Sequence, residues 1–212
     1  MAERLNIALI DDDEAILDSI QLYLTRRGLA VGCFRAAQPF LEAFASGAPF
    51  DCIVTDVKMP GMSGLALHRA LVQRACLVPV IMITGHGDID MAVSAIKAGA
   101  FDLIEKPIDD RRLLNSITDA VRRSREKLED ARELAALQER YAQLSERQRQ
   151  VMELAVDGLS NKEIGVRLRI SPRTAEHYRE MAMHRMQATR LAELVYMVVR
   201  LRREAGPNPR PS

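Results

Sequence analysis

Short apolar runs alternate with helical patterns over the first 120 residues. Segments 5–10, 30–34, 52–54, 80–83 and 101–104 read as five strands. Three of them are nearly continuous apolar runs, the pattern of strands covered on both faces of a parallel sheet. Between them, helical periodicity marks 14–27, 37–46, 64–74 and 88–98, with a fifth helix starting near 109. Gly28 and Gly99 stand where helices should end, and Ser63 and Asp88 where they should begin. Strict strand–helix alternation predicts a doubly wound α/β domain with a five-stranded parallel sheet. Its functional site is expected outside the carboxyl ends of the strands.

Beyond residue 109 there is no Gly or Pro until Gly158, and helix formers dominate 122–143. The fifth helix is therefore predicted to run to about 142. Leu134, Leu137, Tyr141 and Leu144 recur at spacings of three, four and three, which suits a short coiled-coil seam. Segment 144–203 shows four helical patterns and no strand. Ser145 with an acidic first turn starts one helix, Ser160-Asn161-Lys162-Glu163 a second, and Ser171-Pro172 a third. Two short helices joined by a tight turn fit a helix-turn-helix. The organisation is thus 1–120 as an α/β domain, 121–143 as a helical linker, 144–203 as an all-α four-helix domain, and 204–212 as a disordered tail.

The balance of 48% apolar and 28% charged residues excludes a disordered or fibrous chain. No apolar run is long enough to span a membrane, and the N-terminus lacks a signal-peptide layout, so a cytoplasmic protein without a membrane partner is expected. Cys33, Cys52 and Cys76 have no metal-ligand spacing and read as small hydrophobes. The net charge of +1 hides an asymmetry: residues 1–120 carry 11 Lys and Arg against 16 Asp and Glu, whereas 144–203 carry 12 against 7. A basic second half points to nucleic acid. With 4% aromatics and no Trp, stacking on single strands is excluded in favour of a duplex.

The predicted strand ends gather distinctive chemistry. Strand one ends at Asp11 and Asp12, strand three at Asp56-Val57-Lys58, strand four at Thr84, and strand five at Lys106-Pro107. Adjacent carboxylates resist joint ionisation unless a cation intervenes, and a hard divalent ion with oxygen ligands would relieve them. A carboxylate beside such an ion can act as a nucleophile toward phosphorus, with a lysine and a hydroxyl stabilising the transferring group. Asp13 and Glu14 read instead as the start of the next helix.

These residues resemble the receiver domain of two-component response regulators over about residues 4–120. The resemblance implies that Asp56 is the phosphoacceptor, that Thr84 and Lys106 complete the reactive set, and that Asp11, Asp12, Asp56 and the backbone carbonyl of Lys58 hold Mg²⁺ or Mn²⁺. It also implies a cis Pro107 and a sensor histidine kinase as partner. The loop Thr84-Gly-His-Gly-Asp88 is similar to the FixJ subgroup; no partner is assigned to His86. The residue three before the lysine, usually aromatic in the family, is Leu103 here.

Segment 144–194 resembles the LuxR-type DNA-binding domain of FixJ/NarL regulators, chiefly in Leu159-Ser-Asn-Lys-Glu-Ile164 and Ile170-Ser-Pro-Arg-Thr174. On the second helix of the pair, Ala175, Tyr178 and Ala182 should face the core, with Arg173, Glu176, His177, Glu180 and His184 opposite. DNA contacts are expected from Asn161, Lys162, Arg173, Thr174, Glu176, His177, Arg179, Glu180 and Arg185. Arg190 replaces a small hydroxyl residue usual at its place. Leu134, Leu137, Tyr141, Val195 and Val199 are expected to support a homodimer, the last helix being apolar on more sides than one core stripe needs. The expected function is phosphorylation-controlled DNA binding and transcription, with RNA polymerase as a further partner and no enzymatic turnover beyond phosphotransfer to Asp56. Two alternatives differ in class. A metal-dependent aspartyl phosphatase would need a second acid two residues after Asp56, where Lys58 stands. A protein-binding adaptor would show no DNA binding.

Overall fold

The computed structural model describes residues 4–85 and 89–204, with the backbone alone for 89–92. His86, the start signal at Asp88 and the 204–212 tail reading, apart from Glu204, lie outside the described residues. The chain divides into two compact units between Lys127 and Leu128.

In the first unit the strands are β1 (Asn6–Ile10), β2 (Ala30–Phe34), β3 (Cys52–Asp56), β4 (Val80–Thr84) and β5 (Asp102–Glu105). The helices α1 (Glu14–Arg26), α2 (Ala37–Ala45), α3 (Gly64–Gln73), α4 (Ile89–Lys97) and α5 (Asp110–Ala142) alternate with them. All pairings are parallel, in the order β2-β1-β3-β4-β5. β3 and β4 are buried along their whole length, which is why their sequences carry no polar–apolar alternation. One sheet face packs Ile7, Leu9, Val54, Ile81 and Ile83 against Leu17, Ile20, Leu24, Leu113 and Ile117 of α1 and α5. The other packs Ala8, Ile10, Ile53 and Met82 against Phe40, Leu67, Leu71 and Ala95 of α2, α3 and α4.

Strand ends differ slightly from the sequence expectation. β3 continues through Thr55 and Asp56, because polar groups with hydrogen-bond partners can stay in a buried strand. Asp13 caps α1, its carboxylate accepting from the backbone N–H groups of Ala15 and Ile16, and Ser63 caps α3. Gly28 and Gly99 adopt φ of +88° and +97° just past α1 and α4, a conformation that favours glycine.

The fifth helix runs 33 residues without a break, as the lack of Gly and Pro predicts. The unit division falls inside it rather than at either end of the expected linker. The second unit combines its last turns with α6 (Glu146–Val156), α7 (Asn161–Leu168), α8 (Pro172–Met186) and α9 (Leu191–Glu204). Ser145 and Ser160 each form a capping box, with Gln148 and Glu163, and Pro172 stands in the first turn of α8 after the Ser171 cap. Leu137, Leu144, Met152, Ala182, Met186, Leu194 and Val198 form one core. Val151, Ala155, Ile164 and Ala175 form another. The seam reading of α5 is corrected here. Leu137 is 4% exposed inside this core and Tyr141 packs against it, its hydroxyl donating to Glu153, so both are used within the chain. The three–four spacing was genuine, but the apolar surface it meets belongs to the same unit.

Candidate acidic centre and nucleic-acid interface

The parallel register brings the carboxyl ends of β1, β3, β4 and β5 to one rim, because Ile10 pairs with Thr55, Asp56 with Ile83, and Thr84 with Glu105. Asp11 is fully buried, Asp56 nearly so, and Asp12 exposed. One carboxylate oxygen from each can be chosen so that all three lie within 4.8 Å of one another. Lys106 reaches across from the end of β5. Its Nζ donates to Asp11 at 3.0 Å and to Asp56 at 3.2 Å, although these residues are 95 and 50 positions away. The Lys106–Pro107 peptide is cis, as the family resemblance implied.

Burial pushes the Asp56 carboxyl above its ordinary range, and the nearby Asp11 charge adds to this. The Lys106 ammonium and the backbone N–H of Lys58 act the other way. For Lys106 burial favours the neutral amine, but hydrogen bonds and charge from Asp11 and Asp56 outweigh it and hold the ammonium up. The ammonium pairs with two of the three clustered carboxylates, so hard oxygen donors outnumber it at this rim. That donor set fits Mg²⁺ or Mn²⁺.

Thr84 ends β4, almost buried, with its hydroxyl near the Gly85 carbonyl at 3.4 Å. Lys58 is exposed directly after Val57. Leu103 is half-buried against the core beneath α2 and α3, so no aromatic ring stands at that position. From sequence alone, Ser63-Gly64 reads only as a helix start. In the fold, a Cβ on Gly64 would overlap the backbone carbonyl oxygen of Asp56, so the glycine lets α3 begin against the end of β3. That signal lies in contact geometry and not in local sequence.

In the second unit, the turn between α7 and α8 closes tightly. Arg169 adopts φ 55°, Ile170 N–H donates to the Gly165 carbonyl at 2.9 Å, and a Cβ on Gly165 would come 2.8 Å from the Ile170 oxygen. Along α8, Ala175, Ala182 and Met186 are buried and Tyr178 half-buried, while Arg173, Glu176, His177, Glu180, Met181, His184 and Arg185 form the exposed stripe. Asn161 and Arg179 meet each other, guanidinium to amide oxygen at 3.3 Å, and Lys162 is exposed on α7. Thr174 joins the cap of α8 through the Ser171 hydroxyl at 2.7 Å. Arg185 donates to the Gln143 carbonyl. Arg190 is held by Glu193, which also accepts from the Thr189 N–H and hydroxyl. On α9, Val195 is half-buried and Val199 exposed; Leu134 on α5 is half-buried. Among the described residues no helix is long and apolar enough to cross a membrane.

Comparison with known proteins matches residues 7–118 to the family described as response regulator receiver domain and residues 142–198 to bacterial regulatory proteins of the luxR family. The chain is 46% identical over 203 residues to the transcriptional regulatory protein FixJ of Azorhizobium caulinodans, covering 94% of each. It is 36% identical to the response regulator protein TodT of Pseudomonas putida, covering 95% of this chain and 89% of that one. Among solved structures, the response regulator StyR superposes with a TM-score of 0.78 at 32% identity, over 93% of this chain and all of that one. Full-length FixJ from B. japonicum gives 0.62 at 42% identity, over 94% and 98%. With an acidic rim on a five-stranded parallel sheet and a helix-turn-helix later in the sequence, this chain belongs to the response regulators of two-component systems, joining a receiver domain to a LuxR-type DNA-binding domain.

Proposed function

We propose that Asp56 accepts a phosphoryl group from a sensor histidine kinase and that this controls binding of a dimer to double-stranded DNA. The observation that carries the reading is the Lys106 ammonium shared between Asp11 and Asp56, with Asp12 within carboxylate reach. An oxygen of Asp56 attacks the phosphorus of a phosphohistidine. The P–N bond breaks with its electron pair returning to the imidazole, and an acyl phosphate remains on Asp56. Lys106 neutralises charge on the transferring group, and the Thr84 hydroxyl donates a hydrogen bond to one of its oxygens. Asp11, Asp12, Asp56 and the backbone carbonyl of Lys58 would hold Mg²⁺ or Mn²⁺, which when bound offsets the negative charge of both carboxylates and phosphoryl oxygens. The phosphotransfer is self-catalysed and ends on the chain's own residue, with no separate substrate turned over.

Duplex contacts are assigned to Asn161, Lys162, Arg173, Thr174, Glu176, His177, Arg179, Glu180 and Arg185, supported by the exposed stripe on α8 and the cap region of α7. Val195 and Val199 of α9, with Leu134, are assigned to dimer contact, supported by apolar side chains left outside the core. RNA polymerase would be the further partner at a promoter. The test is labelling of the full chain by radioactive acetyl phosphate with Mg²⁺ present. Wild type should acquire a hydroxylamine-labile label and Asp56→Asn should not; undiminished labelling of the variant overturns the assignment.

A further inference from the structure

We propose that the middle of α8 reads base edges through one notch. In it, Glu180 accepts a hydrogen bond from an exocyclic amine, cytosine N4 or adenine N6, and Met181 contacts the methyl group of a neighbouring thymine. This rests on the duplex-binding reading above and specifies what that face selects.

The notch is a concavity of about 280 Å³ lined by His177, Glu180, Met181, His184 and Arg185. Its charge pattern is unusual for a surface that meets phosphate. Arg179 is turned to Asn161, and Arg185 donates to the Gln143 carbonyl at 3.3 Å, while Glu176 and Glu180 stand exposed between Arg173 and Arg185. A carboxylate is repelled by phosphate and by the acceptor atoms of guanine and thymine. In the major groove only the amines of cytosine and adenine offer it a donor.

Met181 supplies the second observation. It is 38% exposed, yet its sulfur accepts from Gln148 Nε2 at 3.8 Å. Gln148 is itself buried, with its oxygen fixed by the Ser145 N–H at 2.9 Å. The thioether is thus anchored from α6, and the rest of its exposed surface is hydrocarbon. The only alkyl group that a base pair presents in the major groove is the thymine methyl. Glu180 and Met181 are successive residues lining one notch, so an amine-bearing base and a thymine in adjacent or nearly adjacent pairs satisfy both.

The experiment is selection from randomised duplex DNA by the full chain, phosphorylated and unphosphorylated, followed by affinity measurement on the selected fragment. Wild type should fix a cytosine or adenine at one position, the selection itself identifying which, and a thymine beside it. Glu180→Ala should lose roughly tenfold of the discrimination at the first position while binding unrelated duplexes more tightly, because a charge repelling phosphate is gone. Replacing the thymine by deoxyuridine changes only the DNA; it should weaken wild type about fourfold, the loss of one buried methyl, and leave Met181→Ala indifferent. Unchanged base preference in Glu180→Ala, or a deoxyuridine effect that is absent in wild type or equal in Met181→Ala, overturns this inference and leaves duplex binding intact. Failure of both forms to select any duplex overturns the DNA-binding reading and this inference together.

Discussion

Replacing Leu137 by alanine tests whether the last turns of α5 are a linker, a coiled-coil seam or part of the DNA-binding unit. The side chain is 4% exposed and shares a core with Leu144, Met152, Met186, Leu194 and Val198. Truncating a buried leucine removes its transfer free energy and leaves a cavity, together about 2–5 kcal/mol. Small domains are stable by roughly 5–15 kcal/mol in total, so a large share of the second unit's stability is at stake. At about 4–8 °C per kcal/mol for a unit of this size, its melting transition should fall by on the order of 10 °C or more. Leu128, 38% exposed on the same helix, is the internal control, and its replacement by alanine should change stability by less than about 0.5 kcal/mol. Calorimetry of the full chain at several protein concentrations reads both effects. The Leu137→Ala loss should be independent of concentration and confined to one transition. A variant with unchanged melting but weakened self-association would show that Leu137 faces a second chain, and the core assignment would be wrong.

Two further substitutions probe other contacts. Gly64→Ala places a Cβ against the Asp56 carbonyl, so the first unit should lose about 1–3 kcal/mol and Asp56 should label more slowly; normal urea unfolding together with normal labelling would contradict the close approach. Glu193 is held down to about 2 by the Thr189 N–H and hydroxyl and by Arg190. A carboxyl lowered on folding stabilises the fold above its unfolded pKa and loses that contribution as pH falls through the folded value. Glu193→Gln should therefore lower the melting temperature of the second unit at pH 7, with the gap to wild type closing between about pH 4.5 and 2; a gap constant over that range would refute the role.

Features that depend on local chemistry and periodicity are legible along the chain. Unbroken apolar runs gave buried parallel strands, Ser145, Ser160 and Ser171-Pro172 gave three helix starts, and the missing Gly and Pro gave a 33-residue α5. Asp11, Asp12, Asp56, Thr84 and Lys106 were legible because each follows or ends a strand, and parallel strands share a rim. Tertiary structure alone decided the pairings. Periodicity tells which side of a helix is apolar but not what will cover it, so Leu137 and Tyr141 read as a seam until the unit's own core claimed them. The same holds for Arg179 turning to Asn161, for Gln148 anchoring Met181, and for the carbonyl that requires Gly64. In each case the partner lies on a different element of secondary structure. Such contacts are set by how elements pack, which no local window of sequence encodes.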